Sequence, residues 1–346
     1  MKKLNMKMKP SEKPGKARRK MATPAPPNLL TFLVTTDFSG ASLAGVRYAL
    51  GLAEKLKAAV DLLHVVELPS WMDRIDTRTD AELIALARAR LEKLAKREVR
   101  GDVMTTFSVR TGKPFHEITR AAREGATDLL VIATHGHSGF ERAILGSTSE
   151  RVVRHAPCPL LIVPTRGLPR RAAKAPPFKL KKILVPIDFS AISKDALPYA
   201  VLLAGHYGAE LVLLHVVEKF PIDYLLGRKL MNDSIVPMMR QAAAELERIA
   251  GDLSKAIAVK ATAVVRGKPF EEICHAAETM SADMIVLTTH SYSGLKNVWL
   301  GSTAERVIRY APCPVLVVRA HEHDLVVTGA RAAKPRRTMG DKGAKS

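Results

Sequence analysis

The chain repeats itself. LVTTDFSGASLAGVRYALGLA at 33–53 returns as LVPIDFSAISKDALPYAVLLA at 184–204, and VDLLHVVE at 60–67 returns as LVLLHVVE at 211–218, both 151 residues on. RTGKPFHEI at 110–118 then matches VRGKPFEEI at 265–273, and LGSTSERVVRHAPCPLLIV at 145–163 matches LGSTAERVIRYAPCPVLVV at 300–318, both 155 residues on. Four extra residues therefore lie between Glu218 and Arg266. Segments that recur in order at an almost fixed offset are one folding unit used twice. Two units of roughly 140 residues also suit ordinary domain size.

Within each unit, short Val/Ile/Leu runs alternate with amphipathic stretches of helical length, in the pattern β-α-β-α-β-α-β-α-β. In the first unit strands are expected near 31–36, 59–66, 102–110, 128–134 and 159–164, and helices near 40–57, 78–98, 114–124 and 147–155. Near-continuous apolar strands of this kind are buried on both faces and pair in parallel. The expected fold is α/β, Rossmann-like: two tandem doubly wound parallel five-stranded sheets flanked by helices. The chain is expected to divide into a disordered basic arm at 1–28, a first domain at 29–165, a basic linker at 166–179, a second domain at 180–320 and a disordered basic tail at 321–346. Cys158 and Cys313, in the two APCP segments, are expected to face the core at strand entry. With Cys274 they make neither a disulfide framework nor a zinc-spaced pair.

The net charge of +20 is placed almost entirely outside the repeats. Residues 1–28 carry nine Lys/Arg and one acid, 166–182 carry seven and none, and 328–346 carry six and one. What remains is formally neutral, so composition predicts no basic folded face. The N-terminal segment has no apolar core of signal-peptide length, and no apolar run approaches the ~18 residues that cross a bilayer. A cytoplasmic location with no transmembrane segment is expected.

In an open parallel sheet the ligand crevice lies beyond the carboxyl ends of the strands, where strand order reverses. Thr35-Thr36-Asp37, Gly112-Lys113-Pro114 and Thr134-His135-Gly136 point there in the first unit, and Gly146-Ser147-Thr148 opens its last helix. Gly136 and Gly146 permit close backbone approach, and helix N-terminal N–H groups attract an anion. Ser147 and Thr148 add hydroxyls, and His137 and Arg142 add positive charge. The competing reading is an ordinary capped helix start, since Ser and Thr are favoured there. Asp37 and Asp188 could likewise cap the helices that follow them, and His64 and His215, inside apolar strands, read as hydrogen-bonded core groups. His135 and His290 border the crevice without a Ser-His-Asp, HExxH or metal-spaced cluster, and there is no P-loop. No catalytic residue and no metal site are assigned.

Both units resemble universal stress protein domains over roughly 29–165 and 180–320, and the chain resembles a tandem member of that family. The resemblance rests on VTTDFS and VPIDFS, on GKP after the third strand, and on the paired GST…APCP endings. It implies ATP binding through the pattern G-x2-G-x9-G-S/T, with an Asp after the first strand near the adenine. The first unit reads Ala133-x2-Gly136-x9-Gly146-Ser147 with Asp37 at the adenine position. The second reads Thr288-x2-Ser291-x9-Gly301-Ser302, followed by Thr303, and keeps Asp188. It lacks two of the three glycines, and Tyr292 and Asn297 replace His137 and Arg142, so a weaker second site is expected.

The resemblance thus implies a stress-response regulatory protein that binds ATP, with or without Mg2+, mainly in the first domain. The enzyme alternative is slow ATP hydrolysis or phosphoryl transfer, which needs Mg2+ ligands and a water-positioning group. Asp37, the one pocket acid, falls at the adenine end. The scaffold alternative gives nucleic acid or an anionic surface to the basic arms by counterion release. The arms lack aromatic residues for stacking, so sequence-specific reading is not expected. Family resemblance further implies pairing through the last strands, near 159–164 and 314–319, either within the chain or in a homodimer.

Overall fold

The computed structural model of the chain describes residues 30–67, 77–134, 146–164, 178–218, 228–255, 257–289 and 301–319. The N- and C-terminal arms and all of the linker but Phe178 and Lys179 lie outside the described residues. The first repeat comprises β1 (Thr31–Thr35), α1 (Gly40–Leu56), β2 (Ala59–Val66), α2 (Thr77–Glu98), β3 (Thr105–Thr111), α3 (Pro114–Glu124), β4 (Leu129–Ala133), α4 (Ser147–His155) and β5 (Leu160–Val163). The second comprises β6 (Lys182–Pro186), α5 (Ala191–Lys194), α6 (Ala196–Tyr207), β7 (Glu210–Glu218), α7 (Arg228–Leu253), β8 (Val259–Gly267), α8 (Pro269–Thr279), β9 (Met284–Thr289), α9 (Ser302–Tyr310) and β10 (Val315–Arg319).

The one difference in element count has a local cause. The first helix of the unit is continuous in α1 but broken between α5 and α6. Pro198 has no N–H for the Lys194 carbonyl and its ring crowds that oxygen, so the helix stops at Lys194 and restarts at Ala196. The four extra residues are absorbed inside α7, which has 26 residues against 22 in α2. Four residues make little more than one turn, so the buried stripe keeps its direction. Ala87, Leu91, Leu94 and Ala95 of α2 are matched by Ala242, Leu246, Ile249 and Ala250 of α7.

Ten strands form one sheet in the order β3-β2-β1-β4-β5-β10-β9-β6-β7-β8. Every neighbouring pair is parallel except β5 and β10, which run antiparallel with Leu161 opposite Leu316. The two five-stranded sheets expected from the repeat thus join through their last strands within one chain. Strand side chains alternate between two cores. Phe32, Val34 and Val131 pack on the α1, α2, α6 and α7 layer, whereas Leu33, Leu130 and Ile132 pack on the α3, α4, α8 and α9 layer. Cys158 and Cys313 are buried in the second core, as their APCP context implied.

On the first layer the repeats are locked together by an aromatic wedge. A Cβ on Gly51 of α1 would stand 2.5 Å from Phe178 Cβ, so only glycine leaves room for that side chain. The Phe178 ring meets Tyr48 edge-on at 4.9 Å and Tyr207 at 5.5 Å, and the Tyr207 hydroxyl donates to the Leu52 carbonyl at 2.6 Å. Among the described residues no helix is long and apolar enough to cross a membrane.

Candidate functional site

In each repeat the strand order turns back between the first and fourth strands, β1 and β4 or β6 and β9. The crevice at their carboxyl ends is where an open parallel sheet accepts a ligand. Asp37 stands two residues past β1, exposed at this rim, and its Oδ1 accepts from Ser39 N at 2.9 Å. Ser39, not Asp37, is the N-cap of α1 and accepts from Ser42 N at 3.2 Å. Asp188 repeats the arrangement, accepting from Ser190 N at 3.0 Å beside the Ser190 cap of α5. Each carboxylate therefore braces the turn that leads into its helix, and the capping role read from the sequence passes to the serine two residues on.

The residue between them is held in an unusual conformation. Phe38 and Phe189 have φ of 63° and 66°, a region L side chains rarely occupy. Phe189 stacks on His215 at 4.3 Å and Phe38 lies against His64 at 4.6 Å. His64 Nδ1 donates to the Thr36 carbonyl at 2.8 Å, and His215 Nδ1 to the Ile187 carbonyl at 2.7 Å. The strand histidines are thus hydrogen-bonded as expected, though half-buried rather than fully enclosed. Their work is to fix the turn that carries the aspartate.

GKP has an equally local reason. Gly112 has φ of 133°, and a Cβ there would stand 3.3 Å from Glu117 Cγ. A Cβ on Gly267 would collide with the Glu272 side chain. Pro114 and Pro269 open α3 and α8 at positions where their missing N–H costs nothing. The motif bends the chain sharply from strand end to helix start beside the crevice.

Gly146 is the N-cap of α4 and Gly301 the N-cap of α9, neither helix having a side-chain cap. Ser147 and Thr148, like Ser302 and Thr303, fall inside the first turn, so the Ser/Thr-capped start is not what forms. Helix N–H groups left without a cap carry partial positive charge. Ser149 Oγ donates to the Ala133 carbonyl at 3.4 Å, which ties α4 to the end of β4. The Ala133 methyl packs toward α1, 3.2 Å from where a Gly45 Cβ would stand. Gly136, His137 and Arg142 lie outside the described residues, as do Ser291, Tyr292 and Asn297.

In the second repeat the structure brings Asp188, Thr288, Gly301, Ser302 and Thr303 to one cavity of about 440 Å3. That is within the range of small-molecule sites. Sequence reasoning missed Ser193 and Glu218, which also line it, and the apolar wall of Ile187, Leu214 and Leu287. The recurrence of HVVE at the end of the second strand was the available signal for Glu218. Burial pushes the Cys274 and Cys313 thiols up to about 11 and about 12, so neither is a thiolate nucleophile at neutral pH. Among the described residues no three His, Cys, Asp or Glu side chains cluster to hold a metal.

A family model described as the Universal stress protein family matches residues 30–164 and 179–319. Universal stress protein MJ0531 of Methanocaldococcus jannaschii is 34% identical over 142 residues, covering 40% of this chain and 82% of that protein. Universal stress protein Rv2005c of Mycobacterium tuberculosis is 27% identical over 253 residues, covering 72% of this chain and 78% of that one. Among solved structures, a universal stress protein from Archaeoglobus fulgidus superposes with a TM-score of 0.59 at 24% identity, covering 84% of this chain and 96% of its own. That likeness supports the fold, while the two matched segments coincide with the two halves of the sheet. The chain belongs to the universal stress protein family, with the family's domain present twice.

Proposed function

We propose that this stress-response protein is a nucleotide-responsive regulator that binds ATP, mainly in its first repeat. The single observation that carries the reading is the uncapped start of α4 at Gly146, beside the β4 end that Ser149 holds and on the same rim as Asp37. A helix start without a side-chain cap, facing a switch-point crevice, suits an anionic phosphate chain. Asp37 would sit at the base, while Ala133, Gly136, His137, Arg142, Gly146, Ser147 and Thr148 would surround the phosphates. Mg2+ would arrive with the phosphates.

The second repeat has the corresponding cavity at Asp188, Thr288, Gly301, Ser302 and Thr303. Its larger Thr288 and Ser291 make it the weaker site under this reading. Isothermal calorimetry of the full chain with ATP tests both points. The expected result is a stoichiometry near one, with Gly136→Val abolishing the tight site in protein whose circular dichroism is unchanged. Unaltered affinity in that variant would remove the first repeat from the proposal, and two equal sites would remove the asymmetry.

A further inference from the structure

On the outward face of α9, Ser302 also lines the second-repeat cavity, whereas Arg306, Arg309 and Tyr310 do not. Helices α4 and α9 carry the same pattern, SERVVRHA and AERVIRYA, so Arg151 and Arg154 recur as Arg306 and Arg309. Arg154 pairs with Glu150 at 3.0 Å and, across the boundary between repeats, with Glu305 at 3.7 Å. Arg309 pairs with the same Glu305 at 3.1 Å. Both carboxylates are thus engaged by Arg154 and Arg309. Among the described residues no carboxylate pairs with Arg151 or Arg306, both of them exposed.

An aromatic ring stands beside Arg306. The Arg306 guanidinium lies 4.9 Å from the Phe270 ring centre, and that ring is 6.1 Å from Tyr310, which is 40% exposed. In the first repeat His155 meets Phe115 edge-on at 5.2 Å. Phe270, Arg306, Arg309 and Tyr310, with Ser302 and Glu305, line an open groove of about 540 Å3. Arginine over aromatic rings is the composition that carries binding energy at protein interfaces.

We propose that the α4–α9 face docks an acidic segment of a partner protein, its carboxylates meeting Arg151 and Arg306 and an apolar side chain lying against Phe270 and Tyr310. Charge complementarity selects the occupant. Four arginines against two glutamates leave this face positive, which attracts acid and disfavours a second copy of the same face. A nucleic acid fits less well. Glu150 and Glu305 stand on the seam itself and would meet the evenly spaced phosphates of a polyanion, whereas a peptide places carboxylates only opposite Arg151 and Arg306.

The test uses the full chain and a fluorescein-labelled peptide rich in Glu and Phe. Phenylglyoxal modification, mapped by mass spectrometry, reads Arg151 and Arg306 separately from the arginines of the arms. With peptide bound, both should be protected severalfold. The double variant Arg151→Glu/Arg306→Glu should lose about tenfold in affinity by fluorescence anisotropy, and Tyr310→Ala a further, salt-independent part. If the double variant does not fold, Arg151→Gln/Arg306→Gln replaces it, with the same direction expected. Unchanged modification of both arginines in the presence of peptide would overturn the proposal. So would equal protection by an unstructured poly-dT strand at the same concentration, which would make the face a polyanion surface.

Discussion

At residue scale, Phe38 and Phe189 hold a left-handed backbone that costs of order 1–3 kcal/mol each. Ring contacts with His64 and His215, and the hydrogen bonds those rings make to the strand ends, offset the strain and fix the turns that carry Asp37 and Asp188. The motif DFS was legible in the sequence, but the conformation was not, since it depends on a partner 26 residues away on another strand. The same holds for GKP: its glycine answers to Glu117, which folds back from the helix that follows. Gly112→Ala should therefore lower stability by about 1–3 kcal/mol, because a methyl is added at positive φ against a buried side chain. Urea denaturation measures it, and a change within a few tenths of a kcal/mol would show that the bend tolerates a side chain. Gly146, by contrast, has an ordinary φ of −60°. Its value lies in having no side chain to cap the helix, a point the residue identity alone leaves between two readings.

At element scale, alternation of apolar and amphipathic runs located the strands and helices of the first unit closely, because each element is buried on the face its periodicity marks. β3 is the exception: expected from 102, it begins at Thr105. It is an edge strand without a fully buried residue, so its apolar signal is weak. The break between α5 and α6 follows from one proline, and the insertion in α7 is hidden by its near-integral turn count. Leu246 is fully buried on that helix, and Leu246→Ala should cost about 2–5 kcal/mol by cavity formation, read from the midpoint of chemical denaturation. Helices α1 and α2 are tied by Arg47 and Glu98, whose Nε and Oε2 are 2.7 Å apart with the Glu98 side chain only 8% exposed. That hydrogen bond, first among the causes, holds the Glu98 carboxyl below the ordinary carboxylate range. A depressed folded pKa contributes stability above the unfolded value near ~4.3, and the contribution disappears as pH falls through the lower folded value. Arg47→Ala should thus cost about 1–3 kcal/mol at pH 7 and progressively less in acid. A pH-independent deficit would assign the loss to packing instead.

At the scale of the whole molecule, duplication made the tandem architecture legible, and the family resemblance implied the pairing of the last strands. The 440 Å3 cavity of the second repeat was harder to foresee, since its walls come from three strands and three helices spread along the repeat. The antiparallel seam between β5 and β10 has one more consequence. Subunits that meet across such an edge separate on dilution, and their melting temperature then rises with protein concentration. Here a peptide chain joins both partners, so each sees the other at an effective concentration set by the linker and not by the solution. Assembly becomes a first-order event. The unfolding midpoint should stay constant over a hundredfold range of protein concentration in scanning calorimetry, and a midpoint that climbed with concentration would reveal a further association between chains.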